Sequence, residues 1–279
     1  MSSKTPASYS RDAQRHILRA QFHAAIRAIE SQRNDALIRD PYAARLAGIS
    51  ALSHAQDMQK VYTENLIRAR YLDDLVSRYL SGIGDVQLVL LGAGMDTRPY
   101  RLTEVSNSVS VFEIDFPDVV ELKEELIDSM QPSPLCQAAA LTRIKVDHTA
   151  HDSHWVSCLL DAGFQTCRRS VWHIERRNMR FSDGRLQDIL KDISALSPTG
   201  SILFLDVNTN DDGRDLCDRG CEDDVSIDSE RFFNRLGFSL LDCDVIGGQN
   251  ASYGRWDYGS PSSVALLTAS KTCMKRFRC

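Results

Sequence analysis

The chain has 279 residues, of which 43% are hydrophobic, which is enough for one large domain or two small ones. A formal net charge of −5 gives no electrostatic reason to expect nucleic acid or an anionic membrane as a partner. No stretch approaches the ~20 apolar residues of a membrane span, and residues 1–15 lack the apolar segment of a signal peptide. We therefore expect a cytoplasmic protein, whose oligomeric state the sequence does not define.

The beginning of the chain has the periodicity of helices. From residue 11 to residue 30 apolar side chains recur at helical spacing, Pro41 suits the first turn of a short helix, and residues 62–80 form a long amphipathic pattern. We expect residues 1–81 to make a helical cap. The positions expected to face inward are Ile17, Ala20, Ala24, Ala25, Ala28, Leu66, Tyr71, Leu72, Leu75, Val76 and Tyr79.

After Gly82, short apolar runs alternate with helical or polar segments. Near-continuous apolar character indicates strands buried on both faces, and the alternation indicates a parallel sheet. The stretch between the last two runs is too irregular for a crossover helix, so we expect an antiparallel final strand. This arrangement resembles the Rossmann-like fold of class I methyltransferases, and we predict that α/β fold for residues 82–279, in one domain with the cap. The runs cover residues 86–92, 108–115, 142–147, 170–175, 201–207, 238–245 and 263–270.

The segment VQLVLLGAGMDTRPYRL has the character of a ligand-binding turn. Its apolar run ends at Gly92 and Gly94, where the absence of a Cβ lets a ligand approach the backbone. Ligands of parallel sheets bind at the carboxyl ends of strands. The next strand ends with Glu113 and Asp115, about twenty residues further on, where an acid commonly bonds ribose hydroxyls. A nucleoside ligand is therefore predicted.

Two kinds of nucleoside cofactor compete for this turn. A dinucleotide usually needs a third glycine, but that position holds Thr97, and Asp96 would put a carboxylate beside the phosphates. S-adenosylmethionine has no phosphate and carries a cationic sulfonium and ammonium, which favour acidic neighbours. The residues therefore favour S-adenosylmethionine over a nicotinamide cofactor.

Two segments carry a family resemblance. LGAGMDTRPYRL, together with FEIDFPDVVELK, resembles the leucine carboxyl methyltransferase family, and the similarity extends from residue 27 to residue 270. That family includes the enzyme that methylates the C-terminal carboxylate of protein phosphatase 2A. It also includes O-methyltransferases that act on small molecules such as polyketides. The resemblance implies S-adenosylmethionine as the cofactor.

The resemblance also implies roles for individual residues. In NLIRARYLDDLV, Arg68 matches the arginine that pairs with the methionine carboxylate of the cofactor, and Arg70 is a candidate helper. Gly92 matches the glycine whose backbone contacts the methionine part, with Gly94 in the same turn. Asp115 matches the acid that bonds the ribose.

Three further cofactor residues follow from the resemblance. Asp147 matches the acid that contacts the adenine amino group, His148 would lie along the adenine ring, and Glu175 matches an acid near the methionine end. His148 also begins a series with His151 and His154. Their spacing lacks the i, i+4 pair of a helical zinc motif, so we expect no metal site there.

The chain departs from the family pattern after Glu175. In SVWHIERRNMRF the family's glycine and leucines are replaced by Arg176, Arg177 and Asn178, so an apolar rim becomes cationic. These arginines could clamp an acidic substrate, and a solvated loop with impaired chemistry is the alternative. Residues 211–228 are acidic and are expected to form a mobile surface loop or a lid. The family often places a helical substrate lid between the positions of Asp206 and Phe232, and that segment is short in this chain.

The predicted function is an S-adenosylmethionine-dependent O-methyltransferase acting on the carboxylate of a small-molecule acid. A carboxylate is ionised at neutral pH, whereas a phenol (pKa ~10) needs a base, and no base stands out in the sequence. Tyr253 and Arg255, in ASYGRW, are candidates to contact the substrate or to pack the turn. The alternatives are a cofactor-binding protein without catalysis, a methyltransferase of a protein C-terminal carboxylate and a nicotinamide-dependent reductase.

Overall fold

The computed structural model describes residues 9–81, 84–106, 108–150, 152–175, 185–208 and 225–272. The described helices are α1 (Arg11–Glu30), α2 (Ala43–Asp57), α3 (Gln59–Leu80), α4 (Arg98–Arg101), α5 (Pro117–Asp128), α6 (His154–Asp161), α7 (Arg185–Leu196) and α8 (Val225–Arg235). The described strands are β1 (Val86–Leu91), β2 (Val109–Asp115), β3 (Ala140–Lys145), β4 (Ser170–Ile174), β5 (Ile202–Asn208), β6 (Phe238–Val245) and β7 (Val264–Lys271).

The strands form one sheet in the order β3-β2-β1-β4-β5-β7-β6. Strands β1 to β5 pair in parallel, whereas β7 runs antiparallel to both β5 and β6. The predicted Rossmann-like class I methyltransferase fold, with its reversed last strand, is confirmed. The third strand ends at Lys145 rather than at the predicted Asp147, because the Asp147 carboxylate accepts bonds from Thr149 and closes a turn.

Both faces of the sheet are covered, which explains why β1 is buried along its whole length. Successive side chains of a strand point to opposite faces. Val89 and Leu91 therefore pack in an apolar cluster with α6 and α7, whereas Leu88 and Leu90 pack in another cluster with α3. With both faces occupied, the carboxyl edge of the parallel strands is the place where a ligand can enter.

Helices α1, α2 and α3 share a third apolar cluster with α5 and with the segment after β1. Every predicted inward position of α1 and α3 is buried except Tyr71 and Tyr79, which are half-buried. Gly48 interrupts α2 with a non-helical φ of 72°. None of the described helices is both long enough and apolar enough to cross a membrane.

A buried ion pair joins α5 to the sheet. Lys123 of α5 donates from Nζ to Glu113 Oε1 of β2 at 2.8 Å, and each side chain is only 1% exposed. Arg143 of β3 donates to the other oxygen of Glu113 at 2.9 Å. Breaking such a pair leaves an uncompensated charge in the interior, and this loss is larger than for a surface pair.

We predict that Lys123→Met lowers the free energy of unfolding by about 3 kcal/mol, near the lower end for a buried pair because Arg143 still bonds Glu113. The matched control is Lys191→Met, since Lys191 pairs with Asp188 at 3.0 Å while 62% exposed. That control should lose less than about 1 kcal/mol. Urea unfolding measures both, and equal losses would contradict the assignment of a buried structural pair.

Candidate functional site

Two glycines shape the turn after β1. Gly92 and Gly94 have φ values of 74° and 50°, in the left-handed region that glycine adopts without a Cβ clash. The amides of Gly92 and Ala93 both donate to the carbonyl of Ile114 on β2, at 2.8 and 3.2 Å. The turn is therefore held against the end of β2.

Asp115 ends β2 directly beside this turn. Its Oδ2 accepts a bond from the Gly94 amide at 2.6 Å, and its Oδ1 accepts one from the Phe116 amide at 2.7 Å. These amides hold the carboxylate at the carboxyl edge of the sheet. The structure thus brings Asp115 to the glycine turn, as the sequence spacing indicated, while its bond to a ribose stays a prediction.

A cleft of about 800 Å³, measured with its open mouth, lies over the carboxyl ends of β1, β2 and β4. Its position is typical of ligand sites in open α/β sheets. Helices α1 and α3 supply much of its lining. The predicted cofactor residues that line it are Arg68, Gly92, Gly94, Asp115, His148 and Glu175.

Arg68 of α3 lies at one end of this cleft and is 2% exposed. Its Nη1 donates to Asp206 Oδ2 at 2.9 Å. Its Nη2 donates to Asn65 Oδ1 at 2.7 Å and to Glu175 Oε2 at 3.0 Å, whereas its Nε is buried without a partner. Burial alone would lower the pKa of Arg68, but the charges of Glu175 and Asp206 raise it above its ordinary value.

Glu175, directly after β4, is the cleft carboxylate at the Arg68 end. Burial alone would raise the pKa of Glu175, but Arg68 and His173 hold it well below its ordinary value. His173 Nε2 lies 3.3 Å from Glu175 Oε1. Because one guanidinium pairs with the two carboxylates of Glu175 and Asp206, the cluster has one excess negative charge. It therefore suits a ligand that joins a carboxylate to positively charged groups.

The other end of the cleft is aromatic. The ring of Phe116 stacks on that of His16, with centroids 3.7 Å apart and planes at 10°. It also lies 4.9 Å from the ring of His148. Burial lowers the pKa of His148, which keeps the imidazole neutral at pH 7, and its Nδ1 has no hydrogen-bond partner. Flat rings and an unsatisfied ring nitrogen suit a heterocyclic ligand.

Asp147, the predicted adenine contact, is not part of the cleft lining. It is exposed, and its Oδ1 accepts bonds from the amide and the hydroxyl of Thr149 at 2.9 and 2.6 Å. An aspartate that bonds the backbone two residues onward forms its own turn. The prediction placed Asp147 at the end of β3, whereas it lies beyond that end and its carboxylate is used locally.

Asp96 also lines the cleft, but its charge is balanced. Arg98 donates to it both from its backbone amide, at 2.7 Å, and from its guanidinium. Arg98 and Arg101 both bond Asp73 of α3 as well. Burial would raise the pKa of Asp96, but Arg98 outweighs that effect and keeps the carboxyl ionised. Asp96 would therefore repel a phosphate less strongly than the sequence indicated, because the positive charge of Arg98 offsets its negative charge.

The structure places Tyr253 and Arg255 outside the cleft, in contrast to their predicted contact with substrate. Arg255 donates to Glu30 Oε1 at 3.0 Å and to Asp35 Oδ2 at 2.7 Å, which ties the segment before β7 to the end of α1. Tyr253 donates to Asp74 Oδ2 of α3 at 2.9 Å. Both side chains hold the cap in place, which agrees with the turn-packing alternative.

Arg70, the candidate helper of Arg68, is also outside the cleft lining. Its Nε donates to Asp74 at 2.9 Å and its Nη1 to the carbonyl of Leu37 at 2.7 Å.

Helix α8 begins at Val225, inside the segment expected to be a loop. Among the residues that the structure describes, no three His, Cys, Asp or Glu side chains are grouped to hold a metal ion. Predicted positions outside the described residues are Arg176, Arg177, Asn178, His151 and residues 211–224.

Several polar residues of the cleft were missed by the sequence analysis. His16, Arg19 and His23 line it from one side of α1. Their spacing of three and four residues, which matches a helical face, was the available signal. His173 is on β4 and Glu175 directly follows that strand two residues later, and their side chains lie 3.3 Å apart.

Comparison with known protein families identifies the family of this chain. Residues 20–193, more than half of the chain, match the family model for leucine carboxyl methyltransferases. The chain belongs to the leucine carboxyl methyltransferase family. The matched segment contains Arg68, Gly92, Asp115 and Glu175, whereas Asp206 follows it.

Three curated proteins are similar to this chain in sequence. Proteins named "Putative S-adenosyl-L-methionine-dependent methyltransferase" from Mycolicibacterium smegmatis, Streptomyces coelicolor and Mycolicibacterium vanbaalenii are 31%, 30% and 32% identical to this chain. The alignments cover 64%, 70% and 70% of this chain. The chain spans 63%, 67% and 68% of the length of these three relatives.

The glycine turn packs closely against α1, and this contact can be tested by substitution. A Cβ on Gly94 would lie 3.3 Å from the Cβ of Ala20, whereas a Cβ on Gly254 would meet nothing within 4 Å. Both glycines have positive φ, so Ala at either position costs about 1–2 kcal/mol of strain. Gly94→Ala should cost about 1 kcal/mol more than Gly254→Ala in thermal unfolding, because Ala20 must shift. Equal losses would mean that α1 does not press on the turn.

Proposed function

We propose that this protein is an S-adenosylmethionine-dependent O-methyltransferase that methylates the carboxylate of a small-molecule acid. The observation that carries the proposal is Arg68, a buried guanidinium that lines the cleft between Glu175 and Asp206. Its charge and unpaired Nε suit the carboxylate of an amino-acid moiety. The printed names of the relatives support the same cofactor.

The described residues fit this cofactor at both ends of the cleft. Arg68 would bind the methionine carboxylate, and Glu175 the ammonium. Asp115 would accept bonds from the ribose hydroxyls, while Phe116 and His148 would contact the adenine ring. The buried Nε of Arg68 and Nδ1 of His148 lack partners, and a ligand would complete their hydrogen bonding. The excess negative charge around Arg68 complements the ammonium and sulfonium of S-adenosylmethionine.

When bound, S-adenosylmethionine supplies an electrophilic methyl group, which an acceptor oxygen attacks in line with the departing sulfur. A carboxylate acceptor (pKa ~4) is already ionised at neutral pH and needs no base. The work of the protein is then to orient the two reactants and to exclude water, and orientation alone can contribute ~7–11 kcal/mol. Helix α1, which lines the cleft together with the sheet edge, is an element suited to this task.

A phenol acceptor is the second candidate, because the structure contains one arrangement that suits a general base. The His173 imidazole lies 3.3 Å from Glu175, and an imidazole beside a carboxylate can accept a proton from a hydroxyl. His173 is 4% exposed, so an acceptor would have to reach it past Glu175. Carboxylate methylation needs no such access and is therefore preferred.

Cofactor binding is the first testable consequence. Calorimetric titration should show binding of S-adenosylmethionine and S-adenosylhomocysteine but not of NADH. Asp115→Asn should weaken S-adenosylhomocysteine about tenfold, because a hydrogen bond to a charged group is lost. Asp161→Asn, at an exposed position on α6, is the control and should change nothing. Equal affinity in the wild type and Asp115→Asn would remove the ribose assignment, and binding of NADH alone would overturn the cofactor.

The acceptor group is the second testable consequence. With 4-hydroxybenzoate and radiolabelled S-adenosylmethionine, we expect a methyl ester, whose label is released by mild base. A base-stable methyl ether would show phenol methylation instead. Transfer to benzoate and none to benzamide would support the acid, because only the acid is an anion. Cofactor binding without transfer to any of a broad panel of acids and phenols would favour a non-catalytic binding protein.

A further inference from the structure

Arg185, the first residue of α7, has a buried guanidinium. The side chain is 0% exposed and is one of the largest fully buried side chains of the described structure. Its Nη2 donates to the carbonyl of His148 at 3.1 Å, whereas its Nε and Nη1 are buried without a hydrogen-bond partner. Within the described part of the chain, no carboxylate pairs with it. Arg185 is therefore an interior cation whose bond goes to a neutral carbonyl.

A guanidinium in this situation lowers the stability of the fold. Arginine stays protonated in proteins, and burying a charged side chain without an opposite charge costs free energy. An apolar side chain of similar length, such as that of methionine, could fill the same space without that cost. Proteins depart from such rules mainly at functional sites, where activity and stability conflict. The burial of Arg185 therefore indicates a role at a site rather than a role in the fold.

The residue that Arg185 contacts belongs to the cleft. His148 lines its aromatic end, where the imidazole lies 4.9 Å from the ring of Phe116. Bonds from Thr149 to Asp147 close the turn that contains His148, and Arg185 holds the carbonyl of His148 itself. Because Arg185 is outside the cleft lining, it can affect a ligand there through His148.

Helix α7 gives this bond a fixed starting point. Leu186 and Ile189 of α7 belong to the same apolar cluster as Ile144 of β3, the strand that leads to His148. Leu186 is 2% exposed and directly follows Arg185, so the backbone of Arg185 is held by the packing of α7 on the sheet. The guanidinium thus connects a packed helix to the turn after β3.

We propose that Arg185 is a positioning residue of the cofactor site, which holds His148 against the adenine ring of S-adenosylmethionine through the bond to the His148 carbonyl. This inference rests on the proposed function, since it concerns the nucleoside end of the same site. Arg185 need not touch the cofactor. Supporting bonds of this kind keep ligand-binding side chains within the narrow range of geometry that binding requires.

The substitution Arg185→Met should weaken cofactor binding without weakening the fold. In thermal unfolding of the ligand-free protein, the midpoint should be unchanged or raised, because removal of the unpaired charge offsets the loss of one bond to a carbonyl. In calorimetric titrations, S-adenosylhomocysteine and 5′-methylthioadenosine should both bind about tenfold more weakly, since both carry the adenine ring. Arg185→Lys, which keeps an N–H donor for the carbonyl, should recover part of the affinity. The control Lys191→Met, at a 62% exposed position of α7, should leave both affinities unchanged.

A direct signal from His148 separates this inference from the proposed function. In protein with isotope-labelled histidine, the ring signal of His148 is assigned by its loss in His148→Gln. Without ligand, Arg185→Met should shift that signal and Lys191→Met should not. If S-adenosylhomocysteine does not bind to the wild type, the proposed function fails, and this signal still decides whether Arg185 positions His148.

Three results would overturn the role of Arg185. A lower unfolding midpoint in Arg185→Met would assign the residue to the stability of the fold. Unchanged affinity for both nucleosides in Arg185→Met would show that the cofactor does not depend on it. An unshifted His148 signal in the same variant would show that the bond to the carbonyl does not position the ring.

Discussion

The structure around the cleft depends on one buried charge, that of Arg68. Its guanidinium joins α3 to β5 through Asp206 and to the end of β4 through Glu175. Without that partner each carboxylate would face an interior in which an uncompensated charge costs several kcal/mol. Arg68 therefore contributes both to the attachment of α3 to the sheet and to the charge of the cleft. A ligand that carries both a carboxylate and cationic groups can join this cluster without unbalancing it.

A second group of buried polar contacts fixes α1 over the glycine turn. Arg27 of α1 donates to Asp40 at 2.9 Å and to the carbonyl of Met95 in the turn at 2.5 Å. Asp40 also accepts a bond from Thr97, at 2.5 Å. Because the backbone of the turn is held by a side chain of α1, the polar face of that helix has a defined position relative to the cleft. The α1 side of the cleft is thus fixed relative to the glycine turn.

The sequence predicted those features that depend on local pattern. Apolar runs located the strands, and the spacing between Gly92 and Asp115 follows from two adjacent parallel strands. Contacts between distant segments could not be predicted from the sequence. Arg255 bonds Glu30, which precedes it by 225 residues, and no local sequence pattern indicates that pair. Asp96 was misjudged for a related reason, since its charge depends on a neighbouring side chain. The basic side chains of α1 also recur at helical spacing, but the prediction for this helix was based on its apolar side chains alone.

Paired titrations with two nucleosides show whether Arg68 holds the methionine carboxylate. S-adenosylhomocysteine carries that carboxylate, whereas 5′-methylthioadenosine shares the nucleoside and lacks it. We expect Arg68→Lys to narrow the affinity ratio between these two ligands about tenfold, because an ammonium cannot bond a carboxylate in the bidentate way of a guanidinium. Arg70→Lys, a substitution on the same helix outside the cleft lining, should leave the ratio unchanged. An unchanged affinity ratio in Arg68→Lys would mean that Arg68 does not hold the methionine carboxylate.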